Sequence, residues 1–304
     1  MAIHDVSEQE ISEKLASLNL SVDTLPFPVD IAKCFPKTSG MGWKGDVKRR
    51  HKLLTLCQSQ LQKTLKDGEE VLYIGKGVQQ KFAEQYFLGV WAALINQTVF
   101  VFTNLRVVLF NSDTKGNPKH TFWSIFYNEV GKFKGGLLGG ANLKLKDGSK
   151  FSYSGFKGID RKTIPMVVQE ARSEYDTLGF TPQSTQSREN LCSRCVEVVP
   201  KGLCKCANCG QEFYEPSKLA LRSLIFPSWG DFCMGHTILA IVELLGYLVS
   251  WLFFGAVLFA AINGGDGDSI APAIFFGCLI VFEHVMDAIL TYYIAKKGLS
   301  PKKA

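Results

Sequence analysis

Two apolar runs near the C-terminal end constrain this chain more than any other feature. Gly235 to Ile262 is nearly continuous apolar sequence, and Ala271 to Ala295 is a second such run. Each exceeds the roughly 20 residues that cross a bilayer as a helix. The connection between them, Asn263-Gly-Gly-Asp-Gly-Asp-Ser269, is short and acidic and holds no Lys or Arg. Lys296, Lys297, Lys302 and Lys303 follow the second run, and Lys218 and Arg222 precede the first. Cations gather on the cytoplasmic side of membrane helices, so both ends of the hairpin are expected there and the acidic loop outside. Tyr292 and Tyr293 lie beside Lys296 and Lys297, where an interfacial aromatic belt belongs. The opening stretch, MAIHDVSEQE, has neither a basic nor an apolar leader segment, so the spans are expected to direct insertion themselves. The expected protein is multi-pass, with both termini cytoplasmic, in a plasma membrane or, in a bacterium, the inner membrane.

Ionisable residues inside the runs need a reason, because a charge at mid-membrane costs about 2.5–3.5 kcal/mol on insertion scales. They are Glu243 in the first run and Glu283, His284 and Asp287 in the second. Glu283 and Asp287 share a helix face at i, i+4, and His284 and Asp287 at i, i+3. Counted inward from the cytoplasmic ends, Glu243 and Asp287 lie at matching depth, so an antiparallel hairpin sets them side by side. This polar seam reads as a structural fastening, with a proton or cation pathway, or a metal site using His284, as alternatives.

The cysteines point to a metal. Of nine, five fall between Cys192 and Cys209. The pattern Cys192-x-x-Cys195, ten residues, then Cys206-x-x-Cys209-Gly210 is two C-x₂-C turns, each setting two thiolates on one side of a tetrahedral ion. Glycine after the second pair lets the backbone pass close to the sulfurs. The expectation is a zinc ribbon, with Zn²⁺ held structurally by Cys192, Cys195, Cys206 and Cys209. Cys204 is left out, since two turns complete the set. The clustering is that of a metal site and not of a disulfide framework, and implies a reducing compartment.

Ahead of the cysteines the period of the sequence changes twice. Residues 5–20 predict a short helix with an S-x-x-E capping box at Ser7 and Glu10. Residues 21–45, with Pro26, Pro28 and Pro36, read as an irregular linker, and a helix is expected from about Asp46 to Leu65. From Glu69 the pattern turns to strands: Val71–Ile74, Trp91–Ile95, Thr98–Thr103, Leu105–Phe110, Thr121–Tyr127 and a hairpin, 143–146 and 150–153, about Asp147-Gly148. A helix from Ile159 to Leu178 closes the run, and Thr181–Arg188 reads as a linker. The glycine-rich stretch Gly135-Gly136-Leu-Leu-Gly139-Gly140 reads as a loop between strands.

The segment resembles bacterial PH and GRAM-type domains. Thr103-Asn104-Leu105-Arg106-Val107-Val108 looks like their T-x-x-R-hydrophobic strand, and Lys146-Asp147-Gly148 like the turn before their last strand. That resemblance implies a PH-like β-barrel with a C-terminal helix. Residues 226–236 resemble the P-G-x-G-x-F-Y-x-G entry of TM2-type membrane hairpins: Pro227, Gly230, Phe232 and Gly235 match, while Ser228 and Cys233 stand where that family has Gly and Tyr. No D-R-F turn is present, and the likeness implies a small membrane hairpin without an activity.

The expected fold class is therefore an α+β multidomain membrane protein. Its parts are an N-terminal helical segment (1–66), a PH/GRAM-like domain (67–180), a linker (181–189), a zinc ribbon (190–215) and a two-helix transmembrane hairpin with its tail (216–304). The net charge of +6 suits an anionic membrane surface. Lys48, Arg49, Arg50 and Lys52 open a helix and are candidates for acidic-lipid contact. The chain holds no P-loop, dinucleotide fingerprint, G-x-S-x-G or H-E-x-x-H pattern, and an enzyme is not expected. The expected function is a membrane-anchored adaptor whose PH-like domain binds lipid or protein at the cytoplasmic face. Alternatives are an oligomeric membrane component that conducts or senses protons or cations, and a membrane-tethered zinc-ribbon nucleic-acid binder. Membrane lipids and a protein partner, or a second copy, are the expected partners, rather than nucleic acid.

Overall fold

A computed structural model describes residues 7–79, 84, 86, 89–135, 140–180, 187–264 and 270–302. The chain divides into two compact units, Met1–Cys209 and Gly210–Ala304.

The first unit is built on one antiparallel sheet of nine strands. These are β1 (Val71–Gln79), β2 (Gln97–Thr103), β3 (Arg106–Ser112), β4 (Pro118–Phe126), β5 (Val130–Gly135), β6 (Ala141–Leu145), β7 (Lys150–Ser154), β8 (Glu189–Leu191) and β9 (Val198–Val199). Their order is β5-β6-β7-β1-β2-β3-β4-β8-β9. The expected closed barrel does not form. The outer side of β4 is taken by β8, Phe122 opposite Leu191, and β8 carries the sheet on to β9, leaving β5 and β9 as edges. The sheet still curls: Phe100 of β2, Val107 of β3, Phe133 of β5 and Leu143 of β6 border one interior space with Ile164 and Val168. That space is about 10 Å³, no more than a single water probe, so the core is filled.

Both faces of β2 are buried, which is why Thr98-Val-Phe-Val-Phe-Thr103 reads as continuous apolar sequence and not as an alternation. Phe100 and Phe102 join the core under the long helix, whereas Val99 and Val101 belong to a second core on the opposite face. The second core is covered by the N-terminal helices α1 (Glu8–Ala16), α2 (Ile31–Cys34), α3 (Trp43–Leu56) and α4 (Gln58–Thr64). Ser7 caps α1, its Oγ accepting from the Glu10 N–H at 3.2 Å.

Three local expectations change. Residues 21–45 are part of the packed layer: Phe27, Cys34 and Phe35 are buried, and Val71 N–H donates to the Pro28 carbonyl at 3.1 Å. The prolines break helical periodicity there without removing the apolar side chains that pack. The stretch expected as a strand from Trp91 is a short helix, α5 (Val90–Ile95), entered at Gly89 with φ of 52°. Its Ala-Ala-Leu centre favours helix over sheet. β5 was not foreseen, because Val130-Gly-Lys-Phe-Lys-Gly135 carries only two apolar residues. Helix α6 (Gly158–Leu178) follows β7 as the pattern requires. Of the glycine-rich stretch, residues 136–139 lie outside the described residues, as do 181–186 of the linker.

The second unit holds α7 (Pro216–Ile225), α8 (Trp229–Met234) and two long apolar helices, α9 (Thr237–Gly264) and α10 (Ile270–Ala295). Both are long and apolar enough to cross a membrane, with mean hydropathy of 2.1 and 2.0 and only 11% of each apolar window buried. Most of the acidic connection, residues 265–269, lies outside the described residues.

Candidate metal centre, carboxylate seam and basic cleft

The cysteine cluster forms at the sheet's far end. β8 leads into Cys192, and the first turn closes with the Val196 N–H donating to the Cys192 carbonyl at 2.9 Å. The Sγ atoms of Cys192, Cys195, Cys206 and Cys209 all lie within 4.8 Å of one another, with Cys192 and Cys206 buried. Two of the Sγ separations, Cys192–Cys209 and Cys195–Cys206, are 3.5 Å. A tetrahedral ion with bonds of about 2.3 Å to sulfur sets its ligands about 3.8 Å apart, so the four thiols fit such an ion. Burial pushes the Cys192 thiol up to about 12, and a cation among the sulfurs reverses that penalty. Cys204 is not in the group. Val196 occupies the position that Gly210 holds after the second pair. Both take left-handed backbone, with φ of 56° and 72°. Glycine does so freely, while a β-branched residue must be held there by its surroundings.

The carboxylate seam brings together fewer of its expected members, and one more. Glu243 and Asp287 approach through Ser228, as the depth match required. The Ser228 N–H donates to Asp287 Oδ2 at 2.6 Å, and its hydroxyl to Glu243 Oε2 at 3.1 Å. The third member is Asp231, buried on α8, which accepts from Thr291 at 3.4 Å and pairs with His236 Nδ1 at 3.0 Å. Carboxylate oxygens of Asp231, Glu243 and Asp287 lie within 4.8 Å of one another, so these groups could hold a metal ion. Glu283 and His284 serve elsewhere. Glu283 accepts from Ser250 at 2.9 Å, and His284 Nδ1 lies 2.8 Å from the Leu224 carbonyl, with its ring edge-on to Tyr247. A metal site built on His284 with the carboxylates is therefore not formed. Asp231 was missed because it falls in the hairpin entry, ahead of the apolar run where charges were sought.

The four basic residues expected to open the helix lie in the middle of α3 and separate into two roles. Arg50 is fully buried, so it cannot touch a lipid headgroup. It donates to Asp160 Oδ1 at 2.7 Å, Asp46 Oδ2 at 2.9 Å, the Ile74 carbonyl at 2.9 Å and Tyr73 Oη at 2.5 Å. Arg49 is mostly committed too, reaching Asp160 at 2.9 Å and Asp46 at 2.6 Å. Burial raises the Asp46 carboxyl, but Arg50 and Arg49 outweigh it and hold the group below the usual aspartate range. Five consecutive polar residues, 48–52, hide this, since which face is inward depends on the sheet beneath the helix.

Lys48 and Lys52 remain exposed, and they border a surface cleft of about 630 Å³. Its lining includes Lys48, Arg49, Lys52, Lys76, Lys115 and Lys157, and no carboxylate among the described residues. Lys76 Nζ donates to the Thr114 carbonyl. Burial holds the Lys76 ammonium below the ordinary lysine range, with Asp113 opposing the shift and Lys157 adding to it. The sequence announced only the α3 share of this cleft, because Lys76, Lys115 and Lys157 come from distant positions that β1, the β3–β4 turn and the start of α6 bring together.

Arg106 of the T-x-x-R strand is also internal. It makes two bonds of 2.9 Å to the Glu69 carboxylate, while the Thr103 hydroxyl donates to Glu69 at 2.7 Å. The motif thus fastens the turn before β1 to the start of β3.

No protein family and no curated protein matches the chain. Among solved structures it is similar to the C-terminal domain of an unknown protein from Leishmania infantum, at 11% identity and a TM-score of 0.28, over 40% of this chain and 94% of that one. A likeness at that level carries no argument about fold or function.

Proposed function

We propose that the chain is a non-enzymatic, membrane-anchored adaptor. In this reading α9 and α10 cross the bilayer, the PH-like unit binds an anionic ligand at the cytoplasmic face, and the four cysteines hold a structural Zn²⁺. Seven successive strands, β1 to β7, followed by α6 agree with the chain order on which the PH-like reading rests and support it, although the sheet stays open. The observation that carries the binding role is the cleft with five lysines and no carboxylate in its described lining. Such a surface has a potential that concentrates anions, and each cation near an anionic membrane contributes about 1 kcal/mol. Low burial of the two apolar helices supports a lipid environment over a soluble core.

The test is headgroup dependence of the full-length protein in lipid nanodiscs. Thermal stability should rise when phosphorylated inositol lipid replaces part of a neutral lipid. Lys48→Glu with Lys52→Glu should abolish that rise and leave stability in neutral lipid nearly unchanged. An equal response from the double variant rejects the cleft as the binding site. A soluble inositol polyphosphate that gives the same rise in neutral discs identifies a free ligand instead of a headgroup.

A second reading, a proton- or cation-sensing hairpin, is favoured by the proximity of Asp231, Glu243 and Asp287. It is weakened by the hydrogen bonds that Ser228, Thr291 and His236 already make to these carboxylates.

A further inference from the structure

The segment before the apolar helices has no role in the adaptor reading. It does not approach α9 as a simple linker. From Tyr214, whose N–H donates to the Ser300 carbonyl at 2.9 Å, the chain runs antiparallel along α10. Leu219 packs with Ala295, Ser223 Oγ meets Thr291 Oγ1 at 2.9 Å, and the Leu224 carbonyl meets His284. Ala295 to His284 is about 16 Å of helix axis, half of the roughly 30 Å hydrocarbon thickness of a bilayer. At that depth Phe226-Pro-Ser228 turns the chain, and α8 returns toward Gly235, two residues before α9 begins.

We propose that residues 216–235 form a re-entrant hairpin. It enters one leaflet beside α10, from the side of Lys296 and Lys297, and sets its outer face against the acyl chains of that leaflet. The proposal rests on the reading of α9 and α10 as membrane spans. Three observations carry it beyond that reading.

First, the outer face is apolar and continuous with the exposed surface of α10. Leu221, Leu224, Ile225, Phe226 and Trp229 are all exposed, Ile225 by 66%, while α10 exposes Val281, Val285 and Ile289 alongside. Second, the one cation beyond the first turn of α7 folds back toward the entry. The Arg222 guanidinium lies 5.2 Å from the Tyr214 ring centre and 5.7 Å from that of Trp229, and donates to Cys233 Sγ at 3.2 Å. A long basic side chain behaves so when its stem is in lipid and its head seeks the interface. Third, the backbone of the turn is satisfied from within. Ser228 N–H donates to Asp287, Gly230 N–H to Ser223 Oγ at 3.1 Å, and the Leu224 carbonyl pairs with the His284 ring nitrogen. Non-helical backbone at membrane depth is tolerated only where protein groups replace water in this way. α8 also packs tightly against both α10 and α7, since a Cβ on Gly230 would lie 2.3 Å from Thr291 Cγ2 and 3.0 Å from the Leu219 carbonyl oxygen.

The test uses tryptophan emission of the full chain in vesicles of brominated phosphatidylcholine. Subtracting Trp229→Phe from the parent isolates the Trp229 signal, and Trp251→Phe isolates one residue of α9. Bromines toward the ends of the chains should remove most of the Trp229 difference emission, bromines near the headgroup end less, and aqueous iodide little. Trp251 quenched by lipid with Trp229 quenched by iodide puts the segment in water and overturns the hairpin while leaving the spans intact. Trp229 untouched by either quencher means a protein partner or second copy covers the face, which also overturns it. Trp251 unquenched by brominated lipid defeats the membrane reading itself, and the hairpin with it. Ile225→Trp in the Trp229→Phe background gives the same readout at a second position and covers the case in which one substitution disturbs folding.

Discussion

Cys206 and Asp160 show how differently two residues can announce themselves. The four clustered cysteines were legible because thiol pairs at C-x₂-C spacing satisfy a local geometric demand that no distant contact has to supply. Freshly purified protein should carry about one zinc ion per chain, and Cys206→Ser should lose it and loosen residues 189–199. Metal analysis and hydrogen exchange across β8 and β9 check this, and metal-free parent protein rejects it. Asp160 was not legible, since its partners Arg49, Arg50 and Tyr73 are over eighty positions away and only the packed sheet brings them to it. Asp160→Asn should cost about 3–5 kcal/mol of unfolding free energy, because it leaves Arg50 charged and buried with a partner removed. Tyr73→Phe should cost about 1–3 kcal/mol. The same network predicts acid sensitivity. The folded-state pKa of Asp46 lies below its ordinary value of 3.8, so its contribution is complete above that pH and is lost as pH falls through the folded value. Urea unfolding between neutral and acid pH should show that loss in the parent and a smaller one in Asp46→Asn.

Helix α7, its turn and α8 were the least legible elements. Counting helical depth from both apolar ends correctly matched Glu243 with Asp287, since rise per residue is fixed. It could not show Ser228 between them, because the turn belongs to a segment that periodicity treats as an approach to the first span. The consequence is testable. Asp287→Asn keeps an oxygen for the Ser228 N–H and should be tolerated. Asp287→Leu strands that N–H and should cost about 1–3 kcal/mol. A simple carboxylate pair predicts that Glu243→Leu added to Asp287→Leu restores stability. The arrangement about Ser228 predicts that it does not, because the turn backbone still lacks its acceptor. Thermal unfolding of the single and double variants in one detergent distinguishes the two. Elsewhere, strands with β-branched and aromatic runs were readable, as was α6. The helix at Val90–Ile95 and strand β5 were not, because one is too short for a period to appear and the other is mostly Lys and Gly.

At the scale of the whole molecule, composition separated the apolar end from the rest. It did not reveal that the N-terminal residues through Cys209 form one unit, with helices on one face of the sheet and α6 on the other. A proline-rich stretch looks like a connector whether or not its few apolar residues are buried. The open sheet has a further effect. A strand edge is a template, and a sheet of nine could keep growing by taking up strands from other copies. At one end β9 offers only Val198 and Val199. At the other, among the described residues, nothing pairs with the outer side of β5, and Lys132 and Lys134 are exposed on either side of Phe133. A second copy approaching in register would set ammonium against ammonium. The chain thus carries its own guard against fibre formation, and that edge favours an acidic strand over a second copy of itself.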